Sequence, residues 1–325
     1  MDKNYYFIVN THSKTGKAKE LWNQLEEILQ QQKVTYQAYI TEYVHHATEI
    51  AGQLTAGDNH IYLVVCGGDG TVNEALNGIR DLSKVTLGYI PLGSANDFAR
   101  GLHITGSPEE ILLAMLKSER ETSIDIGLVK WQDGQRRFVI SAGAGIDAMV
   151  CRQVLTSKLK KFLNQLHLGK LTYGLLTVAD LFRAPFVNAK ARTMEGAEFD
   201  MPHTIFTAAM NFSCEGGGVP MAPKASAEDG MLSVCCVSGI PRLLCLFCFP
   251  FLLAAKHEGI KGFEVVNTKE LQITFDKPMV VHADGEDCGD QTEVTFVCVP
   301  EALKIPDLKD RITEEKGYYE TNQRE

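Results

Sequence analysis

An unbroken apolar run that stops at a cluster of glycines limits this chain more than any other stretch. Ile61-Tyr62-Leu63-Val64-Val65-Cys66 leads directly into Gly67-Gly68-Asp69-Gly70-Thr71-Val72-Asn73-Glu74. A continuously apolar, β-branched segment reads as a parallel strand buried on both faces, because a half-exposed strand would alternate. Asn73-Glu74-Ala75-Leu76-Asn77-Gly78-Ile79 then reads as helix. With no Cβ at Gly67, Gly68 and Gly70, backbone N–H groups can close on an anion at the N-terminus of that helix. Asp69 would repel a phosphate unless a cation lay between them, so the pattern points to Mg²⁺. A tight strand-to-helix turn capped by Asp69 and Thr71 explains the same residues, and glycine spacing alone does not choose between the two.

The flanking segments repeat the alternation. Tyr6 to Asn10 reads as a first strand, and Ala18 to Gln31 as an amphipathic helix with Leu21, Trp22, Leu25, Ile28 and Leu29 on one side. Val34 to Tyr39 is a second strand ending at Thr41, Ala47 to Leu54 a helix, and Val85 to Ile90 a further strand. That last strand opens into Pro91-Leu92-Gly93-Ser94-Ala95-Asn96-Asp97-Phe98-Ala99-Arg100, a second turn before a helix start. Such βαβ units make a parallel sheet, whose ligands bind beyond the carboxyl ends of the strands, where Thr41 and the Gly67 turn both lie. The loop Thr11 to Lys17 lacks P-loop spacing; Lys14 or Lys17 reaches a phosphate or is simply solvated.

Beyond Thr122 the pattern changes to strand-like runs: 126–131, 137–142, 186–193, 205–211, 232–237, 271–275, 279–283 and 292–299, broken by a helical insertion at 158–182. They predict a second, mostly antiparallel β domain, which 325 residues can accommodate. The charge of -9, from 32 basic and 41 acidic residues without a basic stripe, argues against a nucleic-acid partner. Nine cysteines, several in apolar segments such as Cys235-Cys236, fit packed thiols, and the start of the chain has no signal-peptide layout; both predict a reduced, cytoplasmic protein. Leu243 to Ala255 is 13 residues long, interrupted by Pro250 and too short to span a bilayer. A buried or domain-packing helix is the favoured reading there over a membrane-contacting patch. The histidines have no ligand spacing, Lys170 reads as a helix-surface residue, and 307–325 reads as a charged, solvated tail.

Gly67 to Glu74, Pro91 to Ala99 and Asp284-Gly285-Glu286, together with Ile124-Asp125-Ile126-Gly127, Gly143 to Ala148 and Gly216 to Gly230, resemble the soluble bacterial diacylglycerol kinase and lipid kinase family. That family is related to sphingosine kinases and, more distantly, to NAD kinases and phosphofructokinases. The resemblance covers nearly the whole chain. It implies an α/β nucleotide-binding domain at 1–123, completed by residues after about 300, a β-sandwich-like substrate domain at 124–299, and an active site in the cleft between them. It places ATP on Thr41, Gly67, Gly68, Asp69, Gly70, Thr71, Val72, Asn73 and Ser94, where Ser94 replaces the usual Thr. It makes Glu286 the catalytic base, puts Asp125 and Asp69 in one charge network, and carries a Mg²⁺ site over to Ser226, Asp229 and Met231. Ser226 and Met231 would ligate through carbonyls, since a thioether is no hard donor. The first loop departs from the family's Asn-Pro-x-Ser-Gly at Asn10-Thr11-His12-Ser13-Lys14. The implied reaction is ATP-dependent phosphorylation of a lipid hydroxyl, first diacylglycerol, by an enzyme that visits the membrane surface. Other hydroxylated lipids (sphingosine-like, phosphatidylglycerol or polyprenol), NAD as acceptor, a regulator without turnover, and a homodimer all stay open. An acidic hairpin turn is the alternative for Asp284-Gly285-Glu286-Asp287.

Overall fold

A computed structural model describes residues 3–12, 17–156 and 177–308, with backbone alone for 154–156. It forms two compact units, Met1–Ile124 with Gly216–Gly218 and Glu301–Glu325, and Asp125–Glu215 with Val219–Pro300.

The first unit runs β1 (Tyr5–Val9), α1 (Lys17–Gln31), β2 (Tyr36–Ile40), α2 (His46–Leu54), β3 (Ile61–Gly67), α3 (Asp69–Gly78), β4 (Val85–Pro91), α4 (Asp97–Gly101) and α5 (Pro108–Lys117). Its sheet has the order β2-β1-β3-β4, all parallel, and Lys304 pairs in parallel with Thr86 on the outer side of β4. Phe7, Val9, Val64, Cys66 and Ile90 share one core with Trp22, Leu25 and Leu29 of α1 and Ile111, Leu112 and Met115 of α5. The alternate residues Ile8, Leu63, Val65 and Leu87 are just as buried. With no solvent side, these strands favour apolar residues, which is why β3 is a continuous apolar run; the buried Thr86 of β4 donates its hydroxyl to Glu121 at 2.9 Å. The sequence reading passes over α5, although Ser107 and Glu110 form a capping box at its start and Pro108 occupies its first turn.

The second unit contains most of β5 (Glu121–Trp131), then β6 (Gly134–Phe138), β7 (Ser141–Gly145), α6 (Ile146–Thr156), a helix α7 at 177–183, β8 (Val187–Thr193), β9 (Glu198–Thr204), β10 (Phe206–Met210), β11 (Leu232–Val237), α8 (Arg242–Leu253), β12 (Phe263–Thr268), β13 (Glu270–Ala283) and β14 (Glu286–Pro306) as far as Pro300. Strand order is β12-β11-β10-β7-β13-β14, with antiparallel pairing at each step, while β8 pairs with β13 and β9, and β6 with β5. β8 buries Val187, Ala189, Ala191 and Thr193 and exposes the residues between, the alternation of a sheet wet on one face.

Several expectations change in detail. The run 137–142 is two strands broken at Val139-Ile140, and 271–275 and 279–283 are one strand with a register shift between Thr274 and Met279. β9 and β12, in which polar side chains are frequent, were not anticipated. Of the expected insertion, 158–176 lies outside the described residues, as do Lys14, His167, Lys170 and 309–325. All nine cysteines are free thiols, six of them buried. The favoured reading of 243–255 holds on one side only. Cys248 and Leu252 of α8 are buried, whereas Leu243, Leu244, Phe247, Phe251 and Leu253 are 59%, 48%, 66%, 52% and 51% exposed. Among the described residues no helix is long and apolar enough to cross a membrane.

Candidate active-site elements

At the carboxyl edge of the parallel sheet, the turns after β3 and β4 touch backbone to backbone. A Cβ on Gly93 would lie 2.5 Å from the Gly68 Cα, so Gly93 must be glycine for the turns to meet, and a Cβ on Gly68 would sit a tight 3.2 Å from the Gly93 Cα. Asn96, in the left-handed region at φ 51°, closes the second turn: its Oδ1 accepts the Gly93 N–H at 3.0 Å and its Nδ2 donates to the Gly93 carbonyl at 3.0 Å. Asp69 ties the turns together. Its Oδ2 accepts the Asp97 N–H at 3.0 Å and its Oδ1 the Phe98 N–H at 3.2 Å, capping α4 from the first turn of α3. Asp97, 4% exposed, accepts the Gly217 N–H at 2.6 Å and pairs with Arg100.

Around this joint stand the other residues expected to contact nucleotide. The Asn10 Nδ2 donates to the Thr71 Oγ1 at 3.1 Å, bringing the end of β1 to the start of α3. Thr41, buried, donates its N–H to the Val9 carbonyl at 2.9 Å. Val72 and Asn73 are fully buried, so neither presents its side chain to solvent, whereas Ser94 is exposed on the second turn. Gly68 is the N-cap of α3 and supplies no side-chain cap, so the first helical turn opens without one.

In the second unit, Glu286 is the first residue of β14, opposite Ala283 across a two-residue turn. Asp284 and Gly285 have φ of 49° and 85°, the doubly left-handed turn for which Asp-Gly is suited. The acidic hairpin turn is therefore present, and Glu286 begins its second strand. The Asp284 carboxylate accepts three backbone N–H groups, Val139 at 2.9 Å, Ile140 at 2.8 Å and Ser141 at 3.0 Å, which is why the strand breaks there. His282, 2% exposed, adds a second hold: its Nδ1 accepts the Gly285 N–H at 3.2 Å, assigning the ring proton to Nε2, which faces the Asp147 Oδ2 at 3.2 Å. Glu215 is buried beside them. Burial above all pushes its carboxyl up, with His282 opposing and Asp147 adding to the rise. Arg152 of α6 forks onto both Asp287 oxygens at 2.7 Å and reaches Asp290 at 2.7 Å. Glu286 itself is 20% exposed, with the Arg136 guanidinium at 3.9 Å.

Asp125, 1% exposed, belongs to this unit and closes the loop expected to hold metal. Its Oδ2 accepts the Gly230 N–H at 2.7 Å and its own N–H donates to the Ala227 carbonyl at 2.7 Å. Within the loop the Ser226 Oγ accepts the Glu228 N–H at 3.2 Å and the Asp229 Oδ1 accepts the Met231 N–H at 2.9 Å. Among the described residues no group of three or more His, Cys, Asp or Glu could hold a metal ion. Asp229 with the main-chain carbonyls of Ser226 and Met231 would be a hard-oxygen donor set of the kind Mg²⁺ takes. Sequence reading missed His282 and Glu215; a lone histidine inside the apolar run Met279 to Ala283 was the available signal.

The diacylglycerol kinase catalytic domain model matches residues 4–129, and the YegS C-terminal NAD kinase β-sandwich-like domain model matches residues 140–306. YtlR of Bacillus subtilis (strain 168), which carries a lipid-kinase name, is 27% identical over 314 residues, 93% of this chain and 98% of its own length. A protein named diacylglycerol kinase in Staphylococcus carnosus (strain TM300) is 27% identical over 301 residues, 90% of this chain and 92% of that one. A solved structure from Bacillus anthracis str. Sterne superposes with a TM-score of 0.73 at 21% identity, covering 94% of this chain and 97% of that one, a likeness of fold.

Proposed function

Because the chain belongs to the bacterial diacylglycerol kinase and YegS-type lipid kinase family, we propose that it transfers the γ-phosphate of ATP to a membrane lipid hydroxyl, with diacylglycerol becoming phosphatidic acid. The observation that carries the reading is the joint at Asp69, where two glycine-containing turns meet backbone to backbone at the end of a parallel sheet and α3 opens without a side-chain cap. Such an edge suits a polyphosphate.

Phosphoryl transfer asks a protein chiefly to position and neutralise. Amides of the Gly67 turn up to Gly70 hold the phosphates, while the Thr71 N–H closes the turn on the Gly68 carbonyl, with Ser94 and Thr41 beside them. Glu286 takes the proton of the lipid hydroxyl as its oxygen bonds the γ-phosphorus, the bond from that phosphorus to the β,γ-bridging oxygen breaks, and ADP leaves. The Asp284 and His282 contacts hold Glu286 in place. Asp229, with the carbonyls of Ser226 and Met231, would hold one Mg²⁺; Asp69 serves the phosphate turns of the first unit and Asp125 braces the metal loop of the second. Mg²⁺ supplies neutralisation of phosphate charge when bound.

Labelled γ-phosphate is followed from ATP, with Mg²⁺, to a panel of micelle-presented lipids, to NAD and to a no-acceptor control. Label in phosphatidic acid supports the proposal, label in another lipid changes the acceptor, and label in NADP moves the chain to the NAD kinase reading. Glu286→Gln should lower turnover by about 10²- to 10⁴-fold with ATP binding unchanged. Full activity in that variant removes Glu286 as the base.

A further inference from the structure

Among the described residues of the second unit, a patch of large apolar side chains is exposed. On α8, Leu243, Phe247 and Phe251 form a stripe at four-residue spacing with Leu244 beside it, while Cys248 and Leu252 pack inward. Phe182 of α7 and Phe186 just beyond it, 51% and 56% exposed, continue the patch. Arg242 joins the two pieces: its guanidinium lies 4.1 Å from the Phe186 ring centroid and donates to the Phe182 carbonyl at 2.9 Å and to the Ala184 carbonyl. A short helix that is apolar all round belongs in a core, so half of α8 has no counterpart among the described residues.

The rim identifies the counterpart. Although the protein carries a net charge of -9, Arg183 follows Phe182, Arg242 opens α8 and Lys256 lies three residues past its end; α8 has no acidic residue, and the Asp180 carboxylate that Arg183 faces is itself buried. The Lys256 N–H bonds the Phe251 carbonyl, so that cation directly follows the apolar stripe. The nearest acid after it, Glu258, is already paired with Lys224. A second copy meeting this face about a two-fold axis would set basic rim against basic rim. An anionic bilayer instead takes the Leu and Phe side chains below its headgroups and neutralises the rim.

We infer that the α8 face, with Phe182 and Phe186, is a docking surface for an anionic lipid bilayer. The inference extends the lipid-kinase reading by naming the surface that meets the substrate's membrane, and its test needs no turnover. The full-length protein is sedimented with vesicles of phosphatidylcholine alone and with vesicles containing 30 mol% phosphatidylglycerol. Binding to the anionic vesicles is expected, weakening as salt rises, and Phe247→Ser/Phe251→Ser should reduce it about tenfold or more. That variant should still phosphorylate a short-chain, water-dispersed acceptor as the parent does. Phe247→Trp supplies a second measurement that removes no apolar surface: the indole emission should shift to the blue on anionic vesicles and be quenched by brominated lipid. Wild-type binding by the double Ser variant overturns the inference, as does an unshifted emission from the Phe247→Trp protein. A dimer in sedimentation velocity that the double variant dissociates would give the face to a second copy and also overturn it. Vesicle binding without phosphorylation of any lipid would leave the surface standing and remove the kinase reading.

Discussion

Asp284 should be among the most costly side chains to remove from the second unit. Its carboxylate accepts three backbone N–H groups from Val139, Ile140 and Ser141, residues 0%, 4% and 2% exposed. Bonds to a charged acceptor contribute about 1.5 kcal/mol or more each, and Asp284→Ala strands all three donors away from water, for a loss of about 4.5 kcal/mol. The left-handed φ of 49° adds about 1 kcal/mol for Ala, which Asp284→Gly escapes. Asp284→Asn keeps one oxygen for Ile140 and Ser141 but turns an NH₂ toward the Val139 N–H, and should cost about 2 kcal/mol. Urea unfolding followed by Trp131, which packs against the second unit's core, reads these values in a Trp22→Phe background. Hydrogen exchange at the three amides gives a local check, with protection in Asp284→Ala falling by about three decades. A loss below about 2 kcal/mol in Asp284→Ala, with the three amides still protected, would refute the clamp. If the clamp holds, these variants should also lose turnover through Glu286 two residues away.

Gly143→Ala puts a Cβ 2.0 Å from the Asp147 Oδ2, 2.6 Å from the Thr207 carbonyl and 3.0 Å from the His282 Nε2, and urea unfolding should register about 3 kcal/mol of destabilisation. Glu215, whose carboxyl is raised by burial, binds its proton more tightly folded than unfolded, so stability declines as pH rises above the ordinary value of about 4.3. Glu215→Gln should therefore gain on wild type in midpoint as pH rises from about 4 and match it below; parallel profiles would contradict the assignment. Asp69→Ala removes both bonds to α4 and should cost about 2 kcal/mol in the first unit, read by Trp22 fluorescence, while Asp69→Asn should cost about half as much.

What could be read directly from the chain was local. Ile61 to Cys66 had to be a strand covered on both faces, the α1 stripe had to face a core, and Asp284-Gly285 had to turn, since period and turn chemistry are written in neighbouring residues. Links across long stretches were not legible. Asp69 caps a helix 28 residues on, and Asp284 breaks a strand 144 residues earlier, because a carboxylate's partners depend on which backbone the fold delivers to it. The same limit explains why 137–142 looked like one strand: nothing between Arg137 and Ala142 signals that its amides are claimed from elsewhere. α8 was half-read for a related reason. Composition said apolar on every side, and only packing decided that Cys248 turns inward and Phe247 outward.

The first unit is not finished by the first stretch of chain. Lys304 pairs with Thr86, Leu308 enters the core of Phe7 and Trp22, the Asp307 N–H bonds the Arg120 carbonyl and the Ser118 hydroxyl bonds the Asp307 carbonyl. On the ribosome these contacts emerge only after every residue of the second unit has been made. The nascent first unit therefore waits with one edge of its sheet unpaired while roughly 180 residues are added, a vulnerable interval for edge-to-edge association. Synthesis rate through that stretch, and chaperone supply during it, therefore bear on the yield of native protein.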